Sequence, residues 1–272
     1  MSHHATRNKV RRPERVGVRI LRGVLSAVFW IAVWAVVARI VGREVLIPSP
    51  YAVAVRFWQL LGEGSFYYAV GRSLLHILVG FLSGIAAALL LGVLCHVSKT
   101  AETLFSPLMT VVRATPVASF IILALVVLGK AWVPPLICFL MVLPVVFGTV
   151  TTSLEARDKE LCEMLTVFRV PAYRRLFYFE IPSLLPGFFG GCRTALGLAW
   201  KAGIAAEVLC TPKNTIGSAL YDAKIYLETA DVFCWTLVVI LLSLLFEWGV
   251  SKLIRYGSEK QKKEAAEHAG HS

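Results

Sequence analysis

The chain has 272 residues, of which 57% are hydrophobic and only 17% charged, with a formal net charge of +11. A soluble domain averages about 25% charged residues, so composition argues against a soluble globular protein. The hydrophobic excess also falls in long uncharged runs, with no Lys, Arg, Asp or Glu between Arg72 and Lys99 or between Lys130 and Glu155. Each run exceeds the ~20 residues that cross a bilayer core of about 30 Å, which predicts an all-α polytopic membrane protein.

In chain order, residues 1–22 form a tail with seven basic residues, within which His3 and His4 are read as solvated rather than as metal ligands. The apolar run Val24–Ala38 is followed by no small-residue cleavage pattern, so it reads as a retained first span and not as a signal peptide. Six transmembrane helices are expected, at Gly23–Ile40, Leu74–Val97, Leu104–Leu128, Trp132–Thr152, Pro186–Leu209 and Val232–Leu253. They make one transmembrane domain over 23–253, followed by a polar tail over 254–272. With both termini cytoplasmic, most of the 28 basic residues lie inside and six lie in outer loops. That is the positive-inside pattern. It explains the net charge without nucleic acid, and the basic tail can also hold anionic lipid headgroups. Cys95, Cys138, Cys162, Cys192, Cys210 and Cys234 show no CxxC spacing and no His partner, so they read as packing residues. No metal site and no cofactor motif is expected.

Between the fourth and fifth spans lies a charged segment, 158–182. Leu161, Met164, Leu165 and Phe168 fall on one helical stripe, with Asp158 and Glu160 in the first turn, where they complement the helix dipole. Arg169-Val170-Pro171 breaks this helix, and Pro171 can open a second one. Tyr173, Leu176 and Phe177 form a second short stripe, Pro182 ends it, and Pro186-Gly187 leads into the fifth span. Periodicity alone leaves two readings, a basic helix pair lying on headgroups or a surface for a protein partner.

This segment resembles the cytoplasmic EAA loop of ABC importer permeases, whose pattern is Glu-Ala-Ala, three residues, Gly, nine residues, Ile-x-Leu-Pro. Glu163 falls at the Glu, Ile181 at the Leu and Pro182 at the final Pro. Met164 and Leu165 replace the two Ala, Phe179 replaces the Ile, and Arg169 stands where the turn glycine is expected. Glycine tolerates positive φ where arginine does so only with strain, so either the turn is wider here or the partner surface is specialised. Leu46–Val53, Arg72-Ser73-Leu74 with Gly80-Phe81, Arg113-Ala114-Thr115-Pro116 and the stretch 183–208 resemble the taurine, sulfonate and nitrate permeases in particular.

The resemblance implies a membrane-spanning subunit of an ATP-driven importer in the bacterial inner membrane. Glu163, Met164, Phe168, Arg169, Pro171, Ile181 and Pro182 would couple it to a dimer of cytoplasmic ATP-binding subunits. An extracytoplasmic substrate-binding protein and a permease homodimer are implied as well. The chain itself carries no GxxxxGK[ST] sequence, Gly129-Lys130 being isolated. ATP hydrolysis would therefore belong to a separate subunit, and this chain is not expected to be an enzyme.

Ionisable residues within spans are costly and usually face a pathway or a partner. Arg193, Gly197 and Lys201 share a helix face, and a basic stripe suits a small anion such as a sulfonate. Lys201 reads either as a pathway residue or as a snorkelling or ion-paired lysine with Glu207 or Glu247 as partner. Arg113, three residues before Pro116, reads either as a pathway residue or as a cap on a proline kink. Arg113, Lys201 and Glu207 are the pathway candidates. An ion-gradient-driven secondary transporter or channel without an ATPase is the alternative function. An intramembrane enzyme has least support, because no paired carboxylates or Ser/His pair recur at a shared depth.

Overall fold

The computed structural model describes residues 16–156 and 159–269, and the described residues contain helices and no strand. Asp158, His3, His4 and most of the basic tail lie outside them. The helices are α1 Val16–Val41, α2 Pro50–Leu61, α3 Gly64–Val97, α4 Lys99–Ala114, α5 Val117–Leu128, α6 Val133–Glu155, α7 Lys159–Val167, α8 Ala172–Arg175, α9 Ile181–Cys210, α10 Ile216–Ile225 and α11 Thr229–Ala269. A π-helical turn, Leu176–Glu180, joins α8 to α9.

At the centre, α6 packs against both α3 and α9. Small residues let α3 approach α6 closely. Gly80, Gly84, Ala88 and Gly92 recur every four residues along α3 and are all buried. A Cβ on Gly84 would sit 2.8 Å from Val142 Cβ, and one on Gly92 would overlap the Val150 side chain. Without a hydrophobic drive between helices in lipid, such van der Waals contact and interhelical hydrogen bonds hold spans together. On α9, Gly187 and Gly191 meet Ser153 and Thr149 of α6 in the same manner, whereas Gly190 has open space around its Cβ position.

Aromatic pairs attach the outer members. Trp200 of α9 stacks on Phe246 of α11 and donates from Nε1 to the Val239 carbonyl at 3.2 Å. Trp235 stacks on Phe66 of α3, and Phe233 stacks on Trp34 of the peripheral α1. Trp248 is exposed, with Lys252 Nζ 4.9 Å from its ring centroid. In α2, Ser49 is the N-cap and Pro50 opens the first turn; Arg56 then pairs with Asp231 at the start of α11, at 2.5 and 2.8 Å, and with Glu63 at 2.9 Å. The Asp231 hydrogen bond, followed by that to Glu63, raises the Arg56 guanidinium above its ordinary value. Cys95, Cys138, Cys192, Cys210 and Cys234 are buried free thiols, two of which donate to carbonyls, Cys138 to Ala199 and Cys234 to Val53. The packing reading holds for these five.

Two expectations change. The stretch Leu104–Leu128 is not one straight span: α4 and α5 meet at a 102° bend around Thr115-Pro116. Proline removes a backbone donor and disfavours helical geometry in the residue before it, and Thr115 has extended backbone, φ −77 and ψ 132. Four helices, α1, α3, α6 and α11, are long and apolar enough to cross a bilayer, or five if the bent pair counts as one. With 30 residues α9 has the length but carries Arg193, Lys201 and Glu207. Nor does Pro182 end a helix. It falls in the first turn of α9, where a missing N–H costs least, and the π turn before it keeps the backbone helical. Pro186 likewise leaves α9 continuous. Helix extends beyond the apolar spans at both ends, starting at Val16 and running to Ala269.

Candidate functional site

Two ends of the bundle can be told apart by its chain crossings. The loop end holds the C-termini of α3 and α6, all of α7 and α8, and the start of α9. At the far end lie the start of α6, the end of α9 and α10, where Lys130 Nζ reaches Thr211 Oγ1 at 3.3 Å.

At the loop end, α7 closes in a Schellman-type motif. Phe168 N–H donates to the Met164 carbonyl at 3.0 Å and Val170 N–H to the Leu165 carbonyl at 3.1 Å. That motif needs a left-handed residue at its C′ position. Arg169 occupies it with φ +50. The arginine therefore adopts the conformation that glycine would take more easily, and the turn is tight. Left-handed backbone costs a non-glycine residue about 1–2 kcal/mol. Pro171 follows and precedes α8.

The apolar ridge of this loop is bare. Phe168 is 73% exposed and Val167 79%, and Leu161, Met164, Tyr173 and Tyr178 are also exposed, whereas Leu165 is half-buried. Glu163 is exposed beside Met164, and Ile181 and Pro182 are exposed at the start of α9. Arg174 donates to Tyr173 Oη at 3.1 Å, and Arg175 to Glu180 Oε1 at 3.1 Å. The Leu176 and Phe177 side chains lie outside the described ones.

Mid-bundle charges come from two elements. The Arg113 guanidinium, on the last turn of α4, donates from Nη2 to the Pro144 carbonyl at 2.7 Å. Pro144 is 11 residues into α6, about 16 Å along the axis. On α9, Gly203 packs on Cys138 and Gly191 on Thr149, a register that puts Lys201 nearer the far end than the Arg113–Pro144 contact by about 7 Å. Lys201 is exposed, on the α9 stripe with Thr194, Leu198, Ala205 and Leu209. No ion pair of Lys201 forms among the described residues. Neither partner considered from the sequence takes that place. Glu247 lies near Gly197, 3.6 Å from where its Cβ would be. Arg193 is exposed on α9.

Glu207 is fully buried. Its Oε2 accepts from Ser73 Oγ at 2.5 Å and from the Gly217 N–H at 3.3 Å, and its Oε1 lies 2.9 Å from His76 Nδ1. Ser73 Oγ accepts in turn from the Ile216 N–H at 2.9 Å. The carboxylate is thus enclosed by α3, α9 and α10. Sequence reasoning did not find His76 or its link to Glu207. The signal was present: Ser73 and His76 are three residues apart, and therefore on one helix face, at the start of an uncharged run.

Known proteins resemble this chain in sequence and fold. Residues 80–255 match the family profile described as "Binding-protein-dependent transport system inner membrane component". A riboflavin transport system permease protein of Chloroflexus aurantiacus is 30% identical, covering 73% of this chain and 74% of that protein. An aliphatic sulfonates transport permease protein of Bacillus subtilis is 24% identical over 90% of this chain and 89% of its own length. For a nitrate import permease protein of Leptolyngbya laminosa the figures are 25%, 85% and 86%. Among solved structures, the "Crystal structure of an amino acid ABC transporter with histidines" superposes with a TM-score of 0.59, covering 76% of this chain and 96% of that chain at 15% identity, which is a likeness of fold. With the profile covering well over half of its length, the chain belongs to the binding-protein-dependent transport inner-membrane family, as a multi-pass ABC importer permease in the bacterial inner membrane.

Proposed function

We propose that two copies of this chain form the translocation pathway of an ATP-driven importer for a small anionic solute. The loop end faces the cytoplasm, both termini lie on that side, and α4 with α5 completes a six-span topology. The α7–α8 loop docks in a dimer of ATP-binding subunits through Glu163, Met164, Phe168, Arg169, Pro171, Ile181 and Pro182. An external binding protein delivers the solute at the far end, and anionic lipid holds the basic tail.

One observation carries this reading. The bare ridge of α7 joins α8 across the Arg169–Pro171 turn, and from α8 the path through the π turn and α9 to the segment bearing Lys201 is unbroken helix. Displacement of α8 is therefore passed to α9 without an intervening hinge. Lys201 and Arg113 support the anion: each places a charged donor at mid-depth, where an anion out of water needs one. The relatives' names span sulfonates, nitrate and riboflavin, so the solute class rests on these two cations.

The test is reconstitution in proteoliposomes with an ATP-binding subunit and a binding protein that co-purify with this chain. Uptake of a sulfonate or nitrate that requires ATP and binding protein is expected. Uptake that persists without ATP and follows an imposed ion gradient overturns the reading in favour of a secondary transporter. A neutral solute transported with ATP, unaffected by Lys201→Ala and Arg113→Ala, leaves the importer and removes the anion.

A further inference from the structure

From the enclosed carboxylate we infer that Glu207 of α9, together with Ser73 and His76 of α3, is a positioning residue that makes α10 move as one body with α9 and α3; this rests on the importer reading above.

The N-terminus of α10 is held by side chains from other helices. A helix start leaves its first backbone N–H groups without intrahelical partners. In α10, Ile216 N–H donates to Ser73 Oγ of α3, Gly217 N–H to Glu207 Oε2 of α9, and Ser218 N–H to Thr215 Oγ1 at 3.2 Å within a capping box. Two of these three bonds therefore cross between helices. The carboxylate sits where the dipole of α10 favours negative charge. His76 supplies its Nδ1–H to the other oxygen.

Close contact reinforces the clamp. A Cβ on Gly217 would overlap Glu207 Cβ and come within 2.6 Å of the Val208 nitrogen, so α10 lies directly on the α9 backbone. The reversal from α9 to α10 takes only Thr211–Asn214 plus the cap, and both Thr211 (φ +47) and Asn214 (φ +56) are left-handed. A β-branched residue in that region is an outlier that persists only where its surroundings over-determine it.

The consequence follows from continuity. Helix α9 runs unbroken from the loop to Cys210, and Glu207 lies in its last turn. Movement imposed at the loop end reaches Glu207, and the clamp hands it to α10 at the far end. If the clamp is loosened, α9 still moves but α10 lags, and ATP is hydrolysed with less solute carried.

The experiment compares Ser73→Ala, Ser73→Thr and Glu207→Gln with the unmodified chain, each assembled with its ATPase and binding protein in proteoliposomes. Two quantities are read: amide hydrogen exchange of the 213–220 segment, and solute accumulated per ATP hydrolysed. Ser73→Ala and Glu207→Gln are expected to speed exchange at Ile216 and Gly217 and to lower the transport ratio by about tenfold, the scale of one lost buried hydrogen bond. Ser73→Thr, which keeps the hydroxyl, restores both. A purely structural role lowers yield and thermal stability but leaves the ratio of the assembled complexes unchanged. An unchanged ratio in Ser73→Ala overturns the proposal, even where exchange is faster and even if Glu207→Gln fails to assemble. ATP-independent behaviour of the unmodified chain instead defeats the importer reading, and is seen before any variant is compared.

Discussion

The two ends of this bundle handle polar and apolar groups in opposite ways. At the far end, Glu207 is enclosed and accepts three donors, and the first N–H groups of α10 are all satisfied. At the loop end, Phe168 and Val167 stand bare beside an arginine in left-handed backbone. A buried polar group without partners costs several kcal/mol in hydrocarbon, so the far end is complete within one chain. The loop end is not: Met164, Val167 and Phe168 stay exposed among the described residues. The contrast marks the loop end as the place where the proposed ATPase would dock.

Perturbations at the two ends should therefore differ in kind. The largest effect is expected from Glu163→Arg, which leaves membrane insertion normal but removes ATPase association and ATP-driven uptake. Charge reversal in an interface costs about 2–5 kcal/mol, so co-purification of the ATPase should fall by well over tenfold. Full association in that variant would remove the loop from the interface. In the shared core, Gly84→Leu pushes against Val142, and overpacking of this kind costs about 1–3 kcal/mol. It should lower the melting temperature of the purified chain; an unchanged melt would mean that α3 and α6 are not so close.

Smaller changes separate the cations. Lys201→Ala should reduce anion uptake by about tenfold, in line with one lost charged hydrogen bond, while Lys201→Arg keeps most of it. Equal kinetics for every anion tried would take Lys201 off the pathway. The smallest effect should come from Arg169→Gly. Relieving left-handed strain is worth about 1 kcal/mol, so protection of the Val170 amide should rise while the fold is unchanged. If association with the ATPase also weakens, the arginine is kept for contact rather than for the turn.

Much of this was legible residue by residue. The uncharged runs after Arg72 and Lys130 marked α3 and α6, and the stripe through Leu161, Met164, Leu165 and Phe168 marked α7. The position of Arg169 against the glycine of the EAA pattern marked the turn, but the wider turn offered as one expectation did not form, and Arg169 itself takes positive φ. Less legible was the joint between loop and span. Pro182 and Pro186 look like stops in one dimension, yet a first-turn proline and a π turn let the helix continue. Pro116, the same residue type, produced a 102° bend because Thr115 before it left the helical region.

Hydrophobic run length and helical period are local properties, so the chain by itself determined its class, the main apolar helices, the exposed ridge and the family pattern. Partner choice for an ionisable group is not local. Glu207 stands 131 positions from His76 and only six from Lys201, and sequence distance favours the wrong pair. Only the tertiary structure decided it, by turning one face of α9 toward α3 and α10 and the next away from them. Desolvation then made the enclosed carboxylate take the donors within reach, and Lys201, facing away, has no carboxylate partner among the described residues.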